Sequence, residues 1–142
     1  MKMIRTLDVT QDEFYDYLES EVREQYSKAK NMLYTGDIKE GMTYSTAVAE
    51  HQPMTITIDQ YTRNKRYKAI IKSHTDTITI DYQTEEGDKG LDIIFIQEID
   101  SFNKQKQNKL MRWFSEGVYY GCMSDTLFDI QKKIHSKRPV KD

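Results

Sequence analysis

Apolar positions recur along this chain every second residue at the start, then with helical spacing. They return to every second residue over a long middle tract and end with helical spacing again. The opening MIRTLDV alternates and reads as a strand. In TQDEFYDYLESEVREQYSKA the apolar side chains of Phe14, Tyr17, Leu18, Val22 and Tyr26 follow the helical period. Thr10 and Glu13 fit a capping box, in which the threonine oxygen takes the amide three residues on and the glutamate returns to the cap's own amide. A helix therefore starts there. NMLYTGDIKEG breaks the period, and Gly36 and Gly41 punctuate it as a loop or a short helix.

The middle tract alternates with few interruptions. Residues 42–50 read as a strand, and MTITIDQY sets Met54, Ile56 and Ile58 against Thr55, Thr57 and Asp59. RYKAIIKS and TDTITIDYQ follow, the second presenting Ile78, Ile80 and Tyr82 together, and LDIIFIQEI comes after the turn EEGDKG. Short turns between neighbouring strands imply an antiparallel meander. From about residue 104 to 136 the spacing is helical again, with Leu110, Trp113, Phe114, Tyr120, Leu127 and Phe128 on one broad side that drifts beyond Gly121, where a bend is expected. No linker, repeat or low-complexity tract divides residues 1–142, so one domain is expected. The plan is α+β, with one sheet face in need of an apolar cover, and the last helix is taken as the element long enough to provide it. A strongly twisted sheet curling around a helix leaves space between them unless large side chains fill it. The order of elements resembles the helix-grip arrangement of the START and Bet v 1 superfamily. That resemblance implies a curved antiparallel sheet wrapped around a long C-terminal helix, with an N-terminal strand and helix and a pocket in between.

Composition narrows the function classes. With 142 residues, 31% charged and 37% hydrophobic, the chain has the makeup of a globular domain that buries about two thirds of its unfolded surface. Its ten tyrosines bring rings that bury apolar area and hydroxyls that keep a polar contact. A net charge of -2 with interspersed signs gives no field for a phosphate backbone, so nucleic acid is not an expected partner. The basic KKIHSKRPVKD reads as a solvated helix end. Neither a signal-peptide core nor an apolar run of about 18 residues is present, which leads to the expectation of a cytoplasmic protein with no membrane span. The one cysteine, Cys122, has no partner for an internal disulfide.

IRTLDVTQDEFYDYL, DIKEGMTYS, ITIDQYTRNKRYKAIIKS with DTITIDYQ, and IFIQE together resemble the bacterial family called domain of unknown function 3284. The likeness covers most of the chain and rests on the order and spacing of ordinary residues. It implies a small cytoplasmic protein of Firmicutes, with some members encoded near sugar-phosphotransferase genes, and it brings no activity with it. The last helix departs from the family, whose corresponding segment is rich in Lys and Arg, because MRWFSEGVYYGCMSDTLFD is aromatic and glycine-bearing.

Candidate chemistry is sparse. His51, His74 and His135 have no HxH or HxxxH spacing and no cysteine partner, so neither a metal nor another cofactor is expected. Cys122 lies between Gly121 and Met123 in an apolar helix and reads as an inert thiol. Asp59, Asp81 and Glu98 read as solvent-facing strand charges. Gly117 and Gly121 sit one turn apart, each costing the helix about 1 kcal/mol relative to alanine. Either the backbone packs closely there, or ligand space lies beneath Trp113, Phe114 and Tyr120. The first reading is a non-enzymatic module that holds a small apolar or amphipathic molecule between sheet and last helix. Its lining would be Tyr44, Ile56, Ile58, Ile71, Ile80, Tyr82, Phe95, Trp113, Phe114, Gly117 and Tyr120, with Tyr44 and Tyr82 supplying polar tips. A second reading is an interaction or regulatory protein with a filled core, a homodimer or an accessory of sugar uptake. The third is an enzyme, which needs a carboxylate or histidine inside the pocket.

Overall fold

In the computed structural model, residues 1–46, 53–73, 76–101 and 116–139 are described, without the side chains of residues 101 and 116–122. The alternating tracts form a six-stranded antiparallel sheet. Its strands are β1 (Lys2–Leu7), β2 (Thr43–Thr46), β3 (Met54–Thr62), β4 (Arg66–Lys72), β5 (Asp76–Gly87) and β6 (Gly90–Ser101), and the helices are α1 (Gln11–Lys30) and α2 (Glu116–Lys137). In space the order is β1-β6-β5-β4-β3-β2. The meander from β2 to β6 is thus extended by β1, which places the first and last strands side by side.

Helix α1 begins as its capping box requires, with the Thr10 oxygen accepting from the Glu13 amide and the Glu13 carboxylate accepting from the Thr10 amide. It ends at Asn31, whose left-handed backbone (φ 52°) returns its N–H to the last carbonyls. Phe14, Tyr15, Leu18 and Val22 are buried. Tyr15 was absent from the expected face, yet its side chain is fully enclosed and its hydroxyl lies 2.8 Å from Thr84 on β5. Tyr17 instead turns toward α2, where the Lys137 ammonium sits 5.4 Å from its ring centre. The helix is 20 residues long and shares the cover of the sheet. This corrects the expectation that the last helix alone has the length to do so.

Helix α2 packs on β1 and α1 and buries Met123, Leu127, Ile130 and Ile134. Phe128, expected on the apolar side, is 44% exposed, because the buried stripe runs through positions 123, 127, 130 and 134 and leaves 128 on its flank. Leu110 lies outside the described residues. The turn between β1 and α1 is tied down across the chain: the Asp8 amide donates to Gln131 at 2.7 Å, and Arg138 donates to the Asp8 carbonyl at 3.0 Å and to Glu13 at 2.8 Å.

Two local features shape the sheet. The register shifts between Ile58 and Gln60, a bulge that changes which β3 side chains face inward. The β5–β6 turn is tighter than EEGDKG led one to expect, since Glu85 and Glu86 still pair with Asp92 and Leu91 and only Asp88 and Lys89 are left to turn. Among the described residues no helix is long and apolar enough to cross a membrane.

Candidate functional site

The registers place all the strand-borne candidates on the face that α1 covers. Across the strands run three rows of opposed side chains. One joins Tyr44, Ile56, Ile71, Ile78 and Ile99, and the next joins Ile58, Ala69, Ile80 and Gln97. The third runs Tyr61, Tyr67, Tyr82, Phe95 and Met3. Trp113 and Phe114 lie outside the described residues, as do His51 and His74. Gly117, Tyr120 and Cys122 belong to α2, but their side chains are not among those described.

The third row is the aromatic centre. Phe14 and Tyr15 from α1 complete a circuit with Tyr61, Tyr67 and Tyr82: successive ring centres are 5.4, 6.3, 6.3, 6.1 and 5.7 Å apart. Most of these contacts are edge to face, which suits the ring quadrupoles, while Tyr67 and Tyr82 stack at 26°. Phe95 extends the circuit, 4.8 Å from Tyr82. Tyr67 keeps the phase of Ala69 and Ile71 and was legible from alternation alone. Tyr61 was not, because the bulge at Asp59 shifts it from the polar phase to the inner face.

The phenol tips divide into two kinds. Tyr44 donates to Gln25 at 3.1 Å, and Tyr61 donates to Glu19, both on α1. Burial pushes Tyr44 up to about 12 and drives Tyr61 higher still, helped by the neighbouring Glu19 charge. Glu19 also receives Arg63 at 3.0 Å and Arg23 at 3.1 Å. Burial pushes its carboxyl up, but the bonds from Tyr61 and Arg63 outweigh that and hold it below the usual range. Tyr67 and Tyr82 are of the second kind, with no hydrogen-bond partner for the hydroxyl among the described residues.

The isoleucines show a contrast of burial. Ile58, Ala69, Tyr82 and Phe95 are enclosed, whereas Ile56, Ile71, Ile78 and Ile80 on the same face are only partly buried, and Ile99 is 38% exposed. The face therefore closes toward Phe95 and opens toward Ile99.

Charged groups lie elsewhere. Asp81, expected to face solvent, is 4% exposed although it sits on the outer face, because Arg66 closes over it with bonds of 3.0 and 2.7 Å and Gln83 adds a third. Asp59 is exposed at the bulge near Lys68, and Glu98 is exposed beside Thr79. His135 contacts the Asp8 carbonyl at 2.7 Å, away from the sheet face. Among the described residues no three potential metal ligands converge. An open cleft of about 350 Å³ lies between α1 and the end of α2, walled by Tyr17, Ser20, Ile134 and Lys137 and edged by the Glu13–Arg138 ion pair.

A helix-covered antiparallel sheet in this order defines the Bet v 1-like helix-grip class. Ara h 8.0201 superposes with a TM-score of 0.64 at 13% identity, over 96% of this chain and 97% of its own. An uncharacterised protein from Rhizobium leguminosarum gives 0.63 at 11% identity, over 97% and 94%. A protein of unknown function from Staphylococcus aureus gives 0.58 at 12%, over 96% and 95%. These likenesses are of fold. The chain itself belongs to the family of the domain of unknown function DUF3284, whose model matches residues 1–116. Among curated proteins none matches it.

Proposed function

We propose that this protein is a non-enzymatic binding module that holds a small apolar or amphipathic molecule against the helix-facing side of its sheet. The observation that carries the reading is the partly open apolar tract of Ile56, Ile71, Ile78 and Ile80 beside a closed aromatic core. Fully covering such a side chain is worth roughly 1.5–3 kcal/mol, so a molecule seated there gains what the fold leaves unused. Polar tips at the edge of an apolar wall fit the usual makeup of ligand sites. Native mass spectrometry of protein isolated from the cells that make it tests this. The expected result is one small molecule retained per chain and released on denaturation. A chain that arrives empty and takes up no uncharged apolar probe at saturating concentration sinks the reading.

One observation favours a second function. Ile4 is 57% exposed on β1, an edge strand, and lies opposite Ile94 on the outer face. That apolar edge suits pairing with another copy of the chain. The same spectra read it directly, as a dimer mass that is lost in Ile4→Lys.

A further inference from the structure

Tyr67 and Tyr82 are opposed on neighbouring strands, their rings stack at 6.1 Å, and their side chains are 9% and 5% exposed. The other tyrosines of the inner face spend their hydroxyls on named partners: Tyr15 on Thr84, Tyr44 on Gln25 and Tyr61 on Glu19. Among the described residues nothing accepts from Tyr67 or Tyr82. Phenylalanine at either position would bury the same ring without a polar group to satisfy. Burial raises both phenols well above their ordinary range, which keeps them protonated and able to donate.

We propose that Tyr67 and Tyr82 form a paired hydrogen-bond donor on the helix-facing side of the sheet, which binds the hydroxyl or carbonyl oxygen of an uncharged, otherwise apolar molecule. This inference rests on the binding-module reading and assigns its polar anchor. Two O–H groups on opposed, stacked rings can together serve the two lone pairs of one such oxygen. Ile80, on the same face two positions before Tyr82, and beyond it the partly buried Ile56, Ile71 and Ile78 supply the apolar wall for the rest of the molecule. An anion is disfavoured, because Glu19, which accepts from Tyr61 in the aromatic circuit, is itself negative and already engages the cations Arg23 and Arg63.

The test uses prodan, an uncharged naphthalene with one carbonyl, whose emission moves to the red when that carbonyl accepts hydrogen bonds. It is titrated into the wild-type chain and into Tyr67→Phe, Tyr82→Phe and the double variant, and each protein is also melted without probe. The expected result is red-shifted bound emission in the wild type, a blue shift and about tenfold weaker binding in the double variant, and no earlier melting of any variant. Equal affinity and emission in wild type and double variant overturn the anchor and leave the binding module standing. Earlier melting of the double variant means the hydroxyls serve the fold and also overturns it. A wild-type chain that binds no prodan at all overturns the module and the anchor together.

Discussion

At Gly90 a single hydrogen atom decides whether β1 can lie beside β6. The residue has φ +147°, and a Cβ there would stand 2.2 Å from the Leu7 carbonyl oxygen, a backbone atom with no freedom to move aside. Gly41 has a similar backbone bias (φ +87°) but open space around it. Alanine at the two positions should therefore separate strain from collision. Gly41→Ala is expected to lose about 1 kcal/mol in urea unfolding, and Gly90→Ala about 3 kcal/mol or more. Equal losses would show that the contact with Leu7 relaxes. The glycine of DKG was legible as a turn residue, but its collision partner was not, because strand pairing across the whole chain leaves no local signature. The same holds for Asp81. Its alternation correctly put it on the outer face, and only the guanidinium of Arg66 on the adjacent strand makes that position a buried one.

Among the elements, α1 was the most legible, because capping and helical period are local properties. Its first turn depends on the reciprocal bonds of Thr10 and Glu13, which satisfy amides that no helical carbonyl reaches. Thr10→Ala should lower unfolding stability by about 1 kcal/mol, while Thr10→Ser should restore most of it; a full loss in the serine variant would assign the effect to the threonine methyl. Strand phase was equally local, and it brought Tyr44, Ile56, Ile58, Ile71, Ile80, Tyr82 and Phe95 to one face as the alternation implied. What alternation could not give was the role of α1 as a cover. A helix face shows that it is apolar, not which sheet it meets, and Tyr15 lies outside the stripe drawn from Phe14, Leu18 and Val22. The β3 bulge was hidden for a related reason: it is defined by two strands together, so Tyr61 changes face without any change in its own sequence pattern.

For the molecule as a whole, segments far apart in sequence are fastened by charge. Arg138, just past α2, donates to Glu13 at 2.8 and 2.9 Å and to the Asp8 carbonyl at 3.0 Å, so one side chain joins α2, α1 and the turn after β1. The Arg138 hydrogen bond, aided by the Thr10 amide and opposed by partial burial, holds the Glu13 carboxyl down to about 2 from its ordinary 4.5. Folding therefore favours the ionised form. The stability this contributes is complete above about pH 4.5 and is lost as pH falls toward about 2, where the folded chain takes up the proton as well. Glu19, held low by Tyr61 and Arg63 against its burial, acts in the same direction. The urea midpoint of the wild type should thus drop between pH 4.5 and pH 2, and Glu13→Gln should drop less over that window while starting lower at neutral pH. Raised salt should narrow the difference, since Glu13 and Arg138 are both in reach of solvent. A Glu13→Gln variant with the full acid slope of the wild type would place the proton uptake on other carboxylates and leave the Arg138 fastening a matter of geometry alone.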